Sequence, residues 1–264
     1  MTAAATSVER YEITLNTPRG PVTTALEVPT GFVPVTSIVP LARRLGERAA
    51  EEELRATEQA AVPISCRAGC AACCRMMIPL SAPEAFALKE YVNGLPGTDR
   101  DRFTRRIEET TTALRQAGLL DALIELANTP KPLSDADMDA LNRAYYALRL
   151  PCPFLEEERC SLYEHRPSAC RELLVTSPAE LCQDLVHNPV EPLPVSIRVS
   201  TVLGLLWAEL TDHVPRLIPL PLALEWAEQH DQESRRVWKG GELLDRVLDK
   251  VWRLLSQAMG DGKC

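Results

Sequence analysis

The placement of the cysteines is the feature that most constrains this chain of 264 residues. Eight of its nine cysteines fall into two groups that lie far apart in the sequence. The first group is Cys66, Cys70, Cys73 and Cys74, and the second is Cys152, Cys160, Cys170 and Cys182. Free cysteines can pack as small apolar side chains, but four of them within nine residues are more typical of metal ligands or redox groups. A fold that uses all eight thiols must bring the two groups together.

The first group has the spacing C-x3-C-x2-C-C. In a helix, Cys66, Cys70 and Cys73 would lie on one face. If Gly69 bends the chain into a loop, the short gaps still allow the thiols to converge. The second group contains no closely spaced pair and is a weak signal by itself, for which ordinary scattered cysteines are the alternative. Together the two groups predict a metal site built from both segments.

Two arginines flank the third cysteine of the second group. Cys170 lies between Arg166 and Arg171, in the first turn of a predicted helix. The helix dipole and both positive charges favour the thiolate, which is the form that binds metal. A guanidinium can also hold a carboxylate through two hydrogen bonds. We therefore expect Arg166 and Arg171 either to neutralise the thiolates or to bind a cofactor.

The rest of the sequence predicts a mainly α-helical fold. Apolar and polar residues alternate over 11–15 and 22–28 with a turn between them, which indicates a small N-terminal β-hairpin. Caps, breaks and apolar periodicity predict helices over about 38–60, 81–92, 99–128 with a break at Gly118, 134–148, 197–213, 221–230 and 241–259. Shorter helices are predicted after Pro167 and Ser177. Strands and helices do not alternate, so a Rossmann sheet or a TIM barrel is excluded.

Three regions are expected along the chain. Residues 1–60 form the hairpin with a helical extension, and residues 61–190 form the cysteine-cluster metal-binding domain. Residues 191–264 supply C-terminal helices that pack on that domain. The expected architecture is therefore a helical domain organised around a metal site that two cysteine segments share, with the hairpin at its N-terminus.

Composition and charge exclude several classes of function. Acidic residues outnumber basic ones by 37 to 29, whereas nucleic-acid binding needs a basic surface. No apolar stretch reaches the roughly 20 residues that cross a bilayer, and the N-terminus lacks the pattern of a secretory signal. We expect a soluble cytoplasmic protein whose thiols are reduced, with no nucleic-acid or membrane partner. The terminal Cys264 is expected to be a free thiol.

The combined pattern resembles the CxxCxxCC cysteine-cluster (YkgJ-like) family of zinc- or iron-chelating domains, to which flagellin lysine N-methylase belongs. Besides the first cysteine group, the resemblance rests on Pro79, Glu84, Pro151-Cys-Pro-Phe-Leu155, Cys160, Tyr163, Arg166-Pro167 and Cys170-Arg171, and it covers about residues 64–184. It implies a zinc or iron centre and, through the methylase, S-adenosylmethionine as methyl donor and a protein lysine as substrate. The chain departs from the pattern once, since three residues and not two separate Cys66 from Cys70.

The kind of metal centre stays open between two alternatives. Thiolates suit zinc and iron–sulfur clusters alike; two closed zinc sites would use all eight, and one [4Fe–4S] cluster would use four. The gaps of 7, 9 and 11 residues in the second group differ from the paired knuckles of zinc modules, which favours iron–sulfur. The alternative is a zinc-stabilised interaction module without catalysis. Radical S-adenosylmethionine enzymes share the C-x3-C-x2-C spacing, but here Ala72 replaces their aromatic residue.

No motif in the sequence specifies a reaction. There is no catalytic triad, no pair of carboxylates with a clear role and no GxGxxG loop for a dinucleotide. His165 lies inside the second cysteine segment and is a candidate ligand, although a packing role is the simpler interpretation. The adjacent methionines Met76 and Met77 are interpreted as core residues, not soft ligands. Catalytic residues are therefore not assigned.

Overall fold

The computed structural model describes residues 7–129, 134–184 and 187–261. Helices dominate this part of the chain, as the sequence predicts. They are α1 (Val39–Gln59), α2 (Ala82–Asn93), α3 (Gly97–Gln116), α4 (Leu120–Asn128), α5 (Asp135–Ala147), α6 (Ser168–Glu172), α7 (Val199–Thr211), α8 (Ala223–Gln229), α9 (Asp231–Ser234) and α10 (Gly240–Asp261). None of these helices combines the length and the apolar character needed to cross a membrane.

The predicted N-terminal hairpin is confirmed. Strands β1 (Val8–Thr17) and β2 (Gly20–Pro29) pair antiparallel, with Thr17 opposite Gly20 across a two-residue turn. Gly20 has a φ of 120°, a conformation that residues with a Cβ rarely adopt. Alternate residues of β2 are buried, and this face packs against α1 and α10. The hairpin is therefore part of the main core and not an appendage.

Three further pairs of short strands were not predicted. β3 (Phe32–Pro34) pairs with β8 (Val237–Lys239), and β4 (Pro79–Leu80) pairs with β7 (Ile218–Pro219). The third pair, β5 (Leu155–Glu156) and β6 (Arg159–Cys160), is a local hairpin. Strands of two or three residues carry no readable periodicity, so the sequence offers no signal for them. Because β4 directly follows the first cysteine group, its pairing with β7 ties the end of that group to the C-terminal region.

The main hydrophobic core joins the beginning, middle and end of the chain. Phe86 of α2 is at its centre, with ring centroids 5.4 Å from both Trp207 and Trp226. Leu15 of the hairpin and Val247 of α10 are fully buried in the same cluster. A second, smaller core lies among α3, α4 and α5 and contains Leu114, Leu123, Tyr145 and Met77. The interpretation of Met76 and Met77 as packing residues is confirmed, since Met76 contacts the main core.

The helices around the second cysteine group are short, as the sequence predicts. The helix predicted after Pro167 has only five residues, and the one predicted after Ser177 is a single 3-10 turn over Ala179–Gln183. The break at Gly118 is confirmed, and its φ of 72° separates α3 from α4. Capping patterns locate helix starts, but the length of a helix depends on the apolar face it can bury.

Candidate metal centre

The first cysteine group lies on an irregular loop and not on a helix. Gly69 has a φ of 88°, and the chain advances through successive tight turns. In these turns the N–H groups of Cys70 and Cys74 donate to the carbonyls of Arg67 and Ala71, each at 3.0 Å. Of the two alternatives that the spacing allowed, the loop with Gly69 at its bend is the one observed.

The second group is distributed over three small elements. Cys160 ends the β5–β6 hairpin, whose turn residues Glu157 and Glu158 have φ values of 47° and 56°. Cys170 lies in α6, and Cys182 lies in the 3-10 turn that follows. All eight cysteines of the two groups are free thiols; Cys182 is buried and the other seven are partly buried.

Backbone hydrogen bonds join the two cysteine segments. The N–H of Cys152 donates to the carbonyl of Cys74 at 2.8 Å, and the N–H of Ser65 donates to the carbonyl of Val175 at 3.0 Å. The N–H of Val175 also donates to the sulfur of Cys66 at 3.3 Å. These contacts connect residues that are about 75 to 110 positions apart, so the structure brings the two segments together as the cysteine pattern predicts.

An ion pair adds a further connection between the segments. The guanidinium of Arg75 donates two hydrogen bonds to the carboxylate of Glu158, at 2.7 and 3.2 Å. This forked contact lowers the pKa of Glu158 and raises that of Arg75. It attaches the residue after Cys74 to the turn of the β5–β6 hairpin.

A buried carboxylate anchors the short helix that carries Cys170. Glu84 of α2 accepts hydrogen bonds from the N–H and hydroxyl of Ser81, at 3.2 and 2.9 Å, which confirms the predicted capping box. Its other oxygen accepts from the N–H of Ser168 at 2.8 Å and from Arg43 at 3.4 Å. One side chain thus caps α2 and fixes the start of α6. The sequence predicted the first role but carries no signal for the second.

Burial raises the pKa of the thiols. Desolvation is the largest cause for Cys66, Cys152, Cys160, Cys170 and Cys182. The pKa reaches about 12 for Cys152 and about 11 for Cys182. Arg166 acts to lower the pKa of Cys170, as expected from the sequence, but the net shift is upward. The pKa of Cys170 lies well above the ordinary value because burial outweighs the nearby positive charge.

Cys73 interacts electrostatically with thiols of both cysteine groups. A hydrogen bond with the Cys74 thiol, followed by burial, raises its pKa. The negative charge of a Cys73 thiolate would in turn raise the pKa of five other cysteines, which are Cys66, Cys152, Cys160, Cys170 and Cys182. A charge on Cys73 therefore disfavours ionisation of thiols on both segments.

The two candidate arginines have different surroundings. The charge of Arg166 acts to lower the pKa of Cys66, Cys73, Cys160 and Cys170, so its guanidinium faces the thiols. It also lies over the ring of Tyr163, at 4.2 Å from the centroid. Among the described residues its buried Nε has no hydrogen-bond partner. Arg171 instead donates to Glu47 of α1 at 2.8 Å and to the carbonyls of Arg166 and Glu164.

Comparison with known families agrees with this geometry. Residues 65–184 match the CxxCxxCC family, which is described as a "putative zinc- or iron-chelating domain". Residues 65–184, which are less than half of the chain, form a segment similar to this family. Its limits enclose all eight cysteines of the two groups, and the family description names metal chelation and no reaction. No curated protein and no solved structure matches the chain.

The residues of this segment fit a metal in their chemistry. Eight free thiols, with a positive charge from Arg166 whose Nε has no hydrogen-bond partner among the described residues, suit a negatively charged thiolate centre. In the part of the chain that the structure describes, no three His, Cys, Asp or Glu side chains are arranged as ligands of one metal ion. Binding would therefore require thiols to lose protons and turn toward a common point. His165 stacks on Tyr91 of α2, with ring centroids 4.0 Å apart.

An open polar cleft borders this segment on the side of Cys70. Three arginines line it, Arg67, Arg75 and Arg149, and its far wall is formed by residues 178–180 and by Gln183. The cleft has a volume of about 1180 Å³, including solvent at its mouth. The sequence analysis did not single out these arginines. Arg75 could have been noticed because it follows Cys74 directly, whereas nothing in the sequence marks Arg149.

Proposed function

We propose that this protein binds an iron–sulfur cluster through thiolates of both cysteine segments. The observation that supports the proposal is the meeting of the two cysteine segments, where the N–H of Cys152 donates to the carbonyl of Cys74. The buried Nε of Arg166, which lies in the second segment, has no hydrogen-bond partner among the described residues. The irregular spacing of the second group favours a cluster over paired zinc knuckles, as argued from the sequence. Zinc held by four thiolates is the alternative and would make the domain a structural module.

The chain's own residues supply the conditions that a thiolate centre needs. When bound, an iron–sulfur cluster provides one-electron transfer or an iron with an exchangeable ligand. The N–H of Val175 donates to the sulfur of Cys66, and such a bond favours the thiolate. The charge of Arg166 offsets part of the negative charge of the ligands. The contact of Arg75 with Glu158 and that of Glu84 with Ser168 hold the loops on which the thiols are carried.

Anaerobic purification tests the proposed cluster directly. Iron, zinc and acid-labile sulfide are measured per chain, and the absorption spectrum is recorded before and after reduction by dithionite. We expect a brown protein with sulfide and iron in equal amounts and broad visible absorption that bleaches on reduction. A colourless protein that contains zinc and no sulfide supports the zinc alternative. A protein without either metal overturns metal binding altogether.

A second candidate function follows from the resemblance to flagellin lysine N-methylase. S-adenosylmethionine carries a carboxylate, and Arg166 offers a buried Nε without a partner beside the thiols, whereas Arg171 is engaged by Glu47. We infer that Arg166 is the better of the two arginines for this role and that the substrate is a protein lysine. Calorimetry of the anaerobic protein with S-adenosylmethionine tests it. A dissociation constant for S-adenosylmethionine in the micromolar range supports the methylase function. The absence of binding heat at millimolar S-adenosylmethionine overturns it.

The proposal also concerns the compartment in which the protein works. Free thiols on eight cysteines persist where glutathione and thioredoxin keep them reduced. We therefore propose a cytoplasmic location. Fractionation of cells that express the tagged full chain tests this, and recovery of a disulfide-bonded form outside the cytoplasm would contradict it.

A further inference from the structure

The two outer edges of the N-terminal hairpin differ. The edge of β2 is closed, because the Nε of Arg48 on α1 donates to the carbonyl of Thr23 at 3.1 Å, and Pro21 and Pro29 lack the N–H that a further strand would need. Strand β1 contains no proline over its ten residues. Among the described residues, no hydrogen bond connects its outer edge to another element. The edge of β1 is therefore open to a further strand.

The register of the hairpin shows which groups lie on the open edge. Thr17 faces Gly20 across the two-residue turn, and such a closing pair is hydrogen-bonded. Hydrogen-bonded and non-hydrogen-bonded pairs then alternate along β1, so the N–H and C=O groups of Arg10 and Glu12 point away from β2. The side chains of both residues are exposed, on the face opposite to that of the buried Leu15. This side of the open edge thus carries one positive and one negative side chain, two positions apart.

Apolar side chains accompany the charges on β1. Val8 and Tyr11 are exposed there, and the hydroxyl of Tyr11 donates to the carboxylate of Glu9 at 2.7 Å. A long exposed edge strand is a place where another chain can pair, and proteins that avoid this shorten the edge, cover it or place prolines and charges on it. Charges are the one device of this kind that β1 has. They oppose pairing with most strands, but not with a strand whose charges are complementary.

We propose that a second copy of this chain pairs antiparallel with the open edge of β1, with the two Tyr11 residues facing each other on a two-fold axis. In this register Arg10 of each copy lies opposite Glu12 of the other. The neighbouring registers that also match the edge-facing groups would place two Arg10 or two Glu12 side chains opposite each other, where like charges repel. Charge complementarity therefore selects one register, and the two hairpins form a four-stranded sheet. The inference does not depend on the proposed metal binding.

Charge reversal and its rescue test the pairing. Sedimentation of the full chain under reducing conditions, over a wide range of protein concentration, measures the dissociation constant of the dimer. Arg10→Glu and Glu12→Arg should each raise this constant about tenfold or more, because like charges then face each other across the interface. The double variant R10E/E12R should restore it, since opposite charges face each other again. The matched control is Arg105→Glu, which makes the same change of charge on the exposed side of α3 and should leave the constant unchanged.

Each outcome decides for or against the pairing. A wild-type chain that stays monomeric at every concentration overturns it. A dimer that neither reversal weakens, or that the double variant does not restore, overturns the assigned edge and register. Circular dichroism and the thermal midpoint check that each variant folds, and the metal content per chain should be the same in all of them. A chain without metal that still dimerises in this pattern would overturn the proposed function and leave the pairing in place.

Discussion

Two adjacent regions of this protein hold their shape by different means. The helical frame of α2, α7, α8 and α10 encloses an aromatic and aliphatic core in which Phe86, Trp207 and Trp226 are nearly inaccessible. The first cysteine loop, residues 62–76, is irregular and mostly exposed or partly exposed. Individual hydrogen bonds and one forked ion pair hold it. The frame is thus stabilised cooperatively by apolar burial, and the cysteine loops depend on a few separate contacts and on the metal we propose.

The largest effect is expected at the centre of the frame. Phe86→Ala removes a buried ring that packs on two tryptophans. We expect the free energy of unfolding to fall by about 3–5 kcal/mol. Urea denaturation followed by far-ultraviolet circular dichroism measures it. The decrease in the free energy of unfolding should be the same with and without metal. A decrease seen only in the metal-loaded protein would contradict the view that the frame is stable independently of the cysteine loops.

The second prediction concerns the contact between Glu84 of α2 and the short helix α6, which carries Cys170. Glu84→Gln keeps the shape of the side chain but removes a carboxylate that accepts from Ser168 and Ser81. We expect a loss of about 2 kcal/mol together with a lower metal content, because α6 carries Cys170. The matched control is Glu90→Gln in the same helix. Burial raises the pKa of Glu90, so a neutral amide should be tolerated there.

A cysteine variant measures how far the loops depend on metal. Cys170→Ser should lower the metal content and reduce the thermal midpoint by roughly 5 °C, since a ligand that binds only the folded state stabilises it. Differential scanning calorimetry on anaerobic samples provides the midpoint. Cys264→Ser is the control, because this residue follows the described part of the chain and belongs to neither cysteine group. Full metal in Cys170→Ser would exclude Cys170 as a ligand.

The two flanking arginines sharpen the comparison further. Arg166→Lys keeps the charge but loses the fork near the thiols, so we expect metal to be released faster and stability without metal to change little. Arg171→Lys loses the forked contacts with Glu47 of α1 and with the carbonyls of Arg166 and Glu164. We expect a loss of about 1 kcal/mol in the free energy of unfolding and a smaller effect on metal release than that of Arg166→Lys. Chelator competition and urea denaturation separate the two. Equal rates of metal release and equal free energies of unfolding in the two variants would contradict the different surroundings of Arg166 and Arg171.

The smallest effect concerns the ion pair on the loop surface. Arg75 lowers the pKa of Glu158 in the folded protein. The ion pair therefore stabilises the folded state fully at pH values above the ordinary carboxyl pKa of 4.5. This stabilisation is lost as the pH falls through the lowered pKa of Glu158 in the folded state. Glu158→Gln should therefore differ from wild type near neutral pH and converge with it in acid. Urea midpoints at about pH 6 and about pH 3 test the sign. A difference that grows in acid would contradict it.

Much of the frame could be predicted because its signals are local. The hairpin alternation, the break at Gly118 and the capping box at Ser81 each depend on residues close in sequence, and all three are confirmed. The short helix after Pro167 is confirmed as α6, whereas the segment after Ser177 forms a 3-10 turn and not an α-helix, since a cap marks where a helix begins but not how far burial will extend it. The β3–β8 and β4–β7 pairs had no local signal at all.

The sequence by itself determined that the fold is mainly helical, and its cysteine pattern predicted that two distant segments meet. Only the tertiary structure decided which thiols are neighbours and which arginine faces them. Arg166 and Arg171 both flank Cys170 in sequence, yet one faces the thiols and the other pairs with Glu47. Cys66 likewise accepts a hydrogen bond from the N–H of Val175, which lies 109 positions further along the chain. The reason is physical: spacing limits which contacts a chain can make, whereas burial, ion pairs and long-range hydrogen bonds select among them.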